Sequence, residues 1–112
     1  MESQRQSKVS RLIQKELSDI FQKEMSTLFA GGMISVTVVR VTPDLGTARV
    51  YVSLFPPERR QELFELITIQ VKTLRHELGK RVRNQLRQVP ELQFFIDDSI
   101  DYAKRIDDLL KS

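Results

Sequence analysis

The segment VTPDLGTARVYVSLF, residues 41–55, holds a turn followed by an alternating strand pattern. Proline near the start of TPDLG and glycine at its end are typical of a tight turn. After the turn, one set of alternate positions is aliphatic: Ala48, Val50, Val52 and Leu54. The intervening positions are mixed: Arg49, Tyr51, Ser53 and Phe55. Because the preceding run MISVTVVRV is also rich in β-branched residues, the two runs are predicted to pair as a β-hairpin.

A long amphipathic helix is predicted before this hairpin. Apolar residues recur three and four positions apart at Val9, Leu12, Ile13, Leu17, Ile20, Phe21, Leu28 and Phe29. This is the spacing of a helix with one buried stripe, and AGG at residues 30–32 supplies residues that can end it. Nothing apolar anchors residues 1–6, so we expect these, like the last few residues, to be mobile.

The helical region after the hairpin carries two stripes. The apolar stripe runs through Leu63, Ile67, Val71, Leu74, Leu78, Val82 and Leu86. The cationic stripe runs through Lys72, His76, Lys80, Arg83 and Arg87. Pro90 ends the helical pattern, because the residue before a proline avoids the helical region. The sequence LQFFID then alternates as a third strand, and residues 98–112 fit a short terminal helix.

This order of helix, strand, strand, helical region, strand and short helix predicts an α+β fold. We expect a single domain of residues 1–112 in which helices cover one three-stranded sheet. The residues expected in its core are Leu12, Leu17, Ile20, Val36, Val38, Val50, Val52, Leu74, Leu78, Phe94 and Ile96.

Composition argues against several functional classes. The chain has 112 residues, 40% hydrophobic and 29% charged, with no cysteine, so a disulfide framework or thiolate metal site is excluded. No apolar run approaches the length of a membrane span, and a cytoplasmic location is expected. Its one histidine, His76, has no catalytic partners in sequence, and no phosphate-binding glycine loop is present. We therefore expect no enzymatic activity, cofactor, metal or small-molecule substrate.

The distribution of charge favours a polyanionic partner. The net charge is only +3, but the cations cluster, and such a patch attracts nucleic acid. The candidate RNA-binding residues of the helical region are Lys80, Arg83 and Arg87, with Lys72, Arg75, His76 and Arg81 as accessories. A second candidate set lies in the opening turns of the first helix: Arg5, Lys8 and Arg11. The alternative is that either set is a solvated face that only aids solubility.

Two long motifs resemble the ribosome-binding factor A family. They are VTPDLGTARVYVSLF and, later in the chain, LRHELGKRVRNQLRQVPELQFFIDDSI, and SKVSRLIQKELSDIF is similar to the family's first helix. The resemblance implies a type II KH-like domain, a monomer that binds the free small ribosomal subunit and its rRNA. It also implies a non-enzymatic role in late rRNA maturation, including 5′-end processing, that matters most in the cold.

One segment departs from the family pattern. The family has an alanine-x-glycine kink between its central helices, which falls here at residues 70–72, where Gln70, Val71 and Lys72 include no glycine. The sequence therefore leaves open whether the central helix is kinked at residues 70–72, at Gly79 or not at all. Two other functions stay open: a KH-like module for single-stranded RNA with no tie to the ribosome, and a domain that docks an acidic protein partner.

Overall fold

The computed structural model of the protein describes residues 3–97, so the predicted terminal helix lies outside the described residues. Its elements are α1 (Gln4–Lys23), β1 (Met33–Val41), β2 (Thr47–Phe55), a 3-10 turn (Pro57–Arg59), α2 (Arg60–Ile69), α3 (Val71–Val82) and β3 (Glu91–Ile96). The strand order is β1-β2-β3; β1 pairs with β2 antiparallel, and β2 pairs with β3 parallel. The predicted α+β architecture, a three-stranded sheet covered by helices, is confirmed.

The start of α1 is held by polar contacts. Ser3 caps the helix, and the Gln6 side chain accepts a hydrogen bond from the Ser3 backbone in return, so two free backbone donors are satisfied. The Gln6 amide also donates to the Val41 carbonyl oxygen at 2.8 Å, which ties α1 to the end of β1. The mobility of residues 1–6 stays a prediction. It was based on the lack of apolar contacts and did not consider the hydrogen bonds of Ser3 and Gln6.

A β-bulge in β1 changes which residues face the core. The pairing with β2 shifts between Val36 and Val38, so Val39 and Val41 point inward after it, and Val38 is 37% exposed. Gln14 of α1 donates to the carbonyl oxygens of Val36 and Thr37 at 3.1 and 3.3 Å, which satisfies groups that the bulge removes from the ladder. The prediction that Val38 is buried is therefore wrong.

The other predicted core residues are either buried or partly buried. Seven predicted residues are buried: Leu17, Ile20, Val36, Val50, Val52, Leu74 and Leu78. Leu12, Phe94 and Ile96 are only partly buried against that core, because they lie at its margins. Phe94 still packs edge-on against Phe21, with ring centroids 6.3 Å apart.

The central helical region breaks at Gln70. Helix α2 ends at Ile69 and α3 begins at Val71, and Gln70 between them has φ −93° and ψ 7°. These angles lie in a region that residues with a side chain can adopt, so the break needs no glycine. The backbone amide of Gln70 donates a hydrogen bond to the carbonyl oxygen of Ile67 at 3.0 Å, and this tight turn ends α2. Of the three possibilities, the structure shows a kink within residues 70–72, so a straighter helix and a break at Gly79 are both wrong.

Helix α3 is shorter than the apolar stripe predicts. It ends at Val82, with Arg83 as its C-cap, so Leu86 and Arg87 lie in the following loop. The backbone amides of Gln85 and Leu86 both donate to the Val82 carbonyl oxygen at 2.8 Å. One tight turn thus keeps Leu86 against the core while the chain reverses toward β3.

Candidate nucleic-acid interface

An open groove lies between α3 and the loop that follows it. We call it the α3 groove; it has a volume of about 760 Å³ and is lined by Lys72, Arg75, His76, Gly79, Lys80, Arg83, Arg87, Gln88 and Val89. Six of the seven predicted RNA-binding residues of the helical region meet here. The cationic stripe of α3 forms one wall, and the loop before β3 forms the other.

A second groove adjoins the first. This α1 groove has a volume of about 580 Å³, with Arg5, Lys8, Gln85, Arg87, Gln88 and Asp44 providing its polar lining. Val9, Leu12, Leu45, Leu86 and Pro90 provide its apolar lining. Arg87 and Gln88 line both grooves. The two candidate sets that the sequence offered as alternatives therefore lie on one continuous surface.

Arg11 lies just outside the α1 groove. It lines a smaller depression together with Gln4, Ser7 and Lys8, and Lys8 is also a wall of the α1 groove. Arg11 thus extends the basic region one helical turn along α1. We use the name cationic surface for Arg5, Lys8, Arg11, Lys72, Arg75, His76, Lys80, Arg83 and Arg87.

Arg81 has a different environment and is not part of the cationic surface. Its guanidinium donates to Asp19 at 2.6 Å, Glu24 at 2.8 Å and Glu16 at 3.2 Å, and its side chain is 23% exposed. The hydrogen bond from Arg81 lowers the pKa of Asp19 and of Glu24 below their ordinary values, because it stabilises the charged carboxylates. Arg81 therefore joins α3 to α1, and we remove it from the candidate RNA-binding residues.

Two members of the cationic surface also form contacts within the protein. The Arg75 guanidinium donates to the carbonyl oxygens of Val89 at 2.8 Å and Pro90 at 3.3 Å, which fixes the second wall of the α3 groove. Lys80 forms an exposed ion pair with Glu77 at 3.3 Å, and such pairs contribute little. Its ammonium group is therefore easily drawn to a phosphate.

The remaining members make no polar side-chain contact with the described part of the fold. Within residues 3–97, no side-chain hydrogen bond or ion pair engages Arg5, Lys8, Arg11, Lys72, His76, Arg83 or Arg87. All seven side chains are exposed. Because none of them forms an ion pair with a carboxylate of the described residues, they are available to an external polyanion.

Gly79 lies in the wall of the α3 groove and sets its width. A Cβ atom added at Gly79 would lie 3.2 Å from Cγ2 of Val89, which is tighter than an ordinary contact. The missing side chain therefore lets the loop close against α3. The close neighbour of Gly79 is the loop residue Val89.

The described residues offer little for other chemistry. Between residues 3 and 97 there is no group of three or more metal-ligating side chains of the His, Cys, Asp and Glu type. No helix in that range has both the length and the apolar character needed to cross a membrane.

Comparison with known proteins agrees on one family. The sequence model of the family described as ribosome-binding factor A matches residues 5–110. Ribosome-binding factor A of Flavobacterium psychrophilum is 49% identical over 111 residues, which cover 98% of this chain and 85% of the relative. The protein of that name from Chlorobaculum parvum is 48% identical over 109 residues, with 96% and 89% covered.

Solved structures agree on the fold. The crystal structure of ribosome-binding factor A from Thermus thermophilus matches with a TM-score of 0.65 and 22% identity, over 81% of this chain and 94% of that one. A homology model of the T. thermophilus protein, fitted into a cryo-EM map of a 30S complex, matches with a TM-score of 0.61 and 23% identity over 88% and 97%. The fold is therefore KH-like, and the chain belongs to the ribosome-binding factor A family.

Proposed function

We propose that this protein binds the free small ribosomal subunit, and that it does so by laying the cationic surface on ribosomal RNA. It acts as a monomer in the cytoplasm, without catalysing a reaction. By holding one conformation of the rRNA it assists late maturation, including processing of the 5′ end, because a ligand favours the state that it binds better. The effect is greatest in the cold, when misfolded RNA helices rearrange slowly.

The observation that carries this proposal is the position of Arg87. It lines both the α1 groove and the α3 groove, so cations from two distant parts of the chain form one surface. A single stripe on one helix could be an ordinary solvated face. Two stripes that converge across separate elements, with seven side chains unpaired within residues 3–97, are better explained by contact with an extended polyanion.

The chemistry of the cationic surface suits RNA better than an acidic protein. Arginine and lysine contact phosphates irrespective of sequence, and each contact releases counterions. The two grooves open onto solvent rather than forming enclosed cavities, as a phosphate backbone requires. We expect recognition of RNA shape and charge, with the apolar floor of the α1 groove available to an unstacked base.

The test is co-sedimentation of the variant Arg83→Glu/Arg87→Glu with purified small subunits in a sucrose gradient at physiological salt. We expect binding to be lost, because two phosphate contacts become repulsive, while circular dichroism and melting temperature change little. The charge-matched control is Lys15→Glu/Lys23→Glu, two positions that lie farther along α1 and line neither groove; this variant should still co-sediment.

The three candidate functions predict different outcomes in the same gradient. Binding to the small subunit supports the assembly factor. A protein that binds free RNA equally well but not the subunit would indicate a general RNA-binding module, and one that binds neither would indicate a protein-interaction domain. Retention of Arg83→Glu/Arg87→Glu on the subunit at wild-type level would contradict the proposed surface.

A further inference from the structure

The sheet has a second face that α1, α2 and α3 do not cover. Val50 and Val52 of β2 are fully buried beneath the helices, and because side chains alternate along a strand, their neighbours point the other way. The cross-strand register places these outward residues in rows. One row contains Arg40, Arg49 and Gln93, and the next contains Val38, Tyr51 and Phe95. We call these two rows the open face.

An aromatic pair lies at the centre of the open face. Tyr51 and Phe95 are direct partners across the β2–β3 ladder, with ring centroids 5.3 Å apart and an interplanar angle of 26°. Phe95 is 40% exposed, and Val38 beside Tyr51 is 37% exposed. Large apolar groups gathered on a solvent-facing surface indicate a binding site more often than scattered ones do.

Two arginines lie next to the aromatic pair, and no acidic side chain of residues 3–97 pairs with them. Arg40 and Arg49 are directly opposite each other on β1 and β2, an arrangement that destabilises a sheet when the charges are alike. Within residues 3–97 neither forms a side-chain hydrogen bond or an ion pair. Their juxtaposition costs stability, and an anion placed between them would reverse that cost.

We propose that the open face binds single-stranded RNA, with bases stacked on Tyr51 and Phe95 and phosphates held by Arg40 and Arg49. Rows on one face of a strand are two residues apart, about 6.6 Å, so one nucleotide can reach both rows. Stacking on sheet aromatics is a general way to hold unpaired bases, since every base has a π-face. An apolar protein partner would bury two like charges together, which is unfavourable.

This site is separate from the cationic surface. The open face lies on the side of the sheet opposite to α1 and α3, whereas the cationic surface consists of residues on those helices and the adjoining loop. The proposed RNA-binding role of the open face can therefore be tested independently of the proposed binding to the small subunit. It gives the protein a second contact, for unpaired nucleotides.

The experiment uses the full chain and a labelled single-stranded RNA of mixed sequence, about eight nucleotides long. An abasic strand of the same length serves as a second probe. Fluorescence anisotropy at low salt compares wild type with Tyr51→Leu/Phe95→Leu, which keeps apolar bulk but removes the rings. The matched control is Phe55→Leu, an aromatic that is 59% exposed at the far end of β2.

We expect Tyr51→Leu/Phe95→Leu to bind the single strand roughly 10- to 100-fold more weakly, with little change for the abasic strand. Phe55→Leu should bind both probes as wild type does. The variant Arg40→Gln/Arg49→Gln should flatten the salt dependence of binding by roughly 0.7 of a unit of slope for each arginine. Repeating the titration in Arg83→Glu/Arg87→Glu removes competition from the cationic surface, and the same pattern should persist.

Three results would overturn the proposal. Unchanged affinity of Tyr51→Leu/Phe95→Leu for the single strand, in a variant with wild-type circular dichroism, would exclude stacking. A concentration-dependent dimer in sedimentation that this variant abolishes would assign the open face to a second copy of the chain. Nuclear Overhauser contacts between the Phe95 ring and residues 98–112 in the RNA-free protein would assign it to the chain's own C-terminal segment.

Discussion

Arg81 shows how a single side chain can leave the group to which its sequence position assigns it. In sequence it stands among five other cations between Lys72 and Arg87. In the fold its guanidinium faces α1 and contacts three carboxylates. Those acids are 57 to 65 residues away in sequence, so nothing local marks them as partners. Lys72, His76 and Lys80 lie together as expected, because helical spacing determines their common face. Arg87 lines the same groove from the loop after α3.

Replacing Arg81 with methionine should lower the melting temperature by roughly 3 to 8 °C. The variant keeps the apolar stem but leaves the carboxylates of Glu16, Asp19 and Glu24 close together without their cation. Thermal denaturation at neutral pH measures the effect. Lys23→Met is the control. Lys23 forms one ion pair within residues 3–97, with Asp19, and its side chain is 73% exposed, so this variant should change the melting temperature much less.

The stability gap between wild type and Arg81→Met should depend on pH. Arg81 lowers the pKa of Asp19 and Glu24 in the folded state below their ordinary values of 3.8 and 4.5. A lowered folded-state pKa adds stability that is fully present above the ordinary pKa and is lost as pH falls through the folded one. Melting curves should therefore show the gap narrowing below about pH 4. A gap that widens as pH falls would contradict the assignment.

At the level of elements, the sequence predicted the helices and strands but not the two irregularities within them, the helix break at Gln70 and the bulge in β1. Periodicity predicted the stripe through α2 and α3 because a one-residue turn barely alters its phase. It did not locate the break, since Gln70 carries no turn signal. The bulge was missed for a similar reason: in VTVV every residue from Val36 to Val39 suits a strand. The hydrogen bonds that stabilise the bulge come from Gln14 on another element.

Replacing Gln70 with glycine should lower the free energy of unfolding by about 0.5–1 kcal/mol. Its dihedral angles of −93° and 7° are available to residues with a side chain, so glycine relieves no strain and adds flexibility to the unfolded chain. Chemical denaturation measures the change, with Thr73→Gly, an exposed position inside α3, as a comparison. A stabilising effect of Gln70→Gly would show that the break is strained.

For the whole molecule, the order of elements and the sheet followed from patterning, but the shape of the binding surface did not. Hairpin, crossover and third strand leave few arrangements for a three-stranded sheet. Sequence left Arg5 and Lys8 as an alternative to Arg83 and Arg87, because nothing along the chain relates the start of α1 to the loop before β3. Only the packed domain brings Arg87 to both grooves.

The central claim is that both sets of cations form one RNA-binding surface. The salt dependence of binding to purified small subunits tests most directly whether both sets contact RNA or only one does. The variants are Arg5→Gln/Lys8→Gln from α1 and Arg83→Gln/Arg87→Gln from the other set, with Lys15→Gln/Lys23→Gln as the control. Both test variants should flatten the plot of log affinity against log salt concentration by about one unit of slope for each phosphate that is no longer neutralised, and the control should not. A slope that changes for only one set, or for neither, would contradict a single continuous RNA-binding surface.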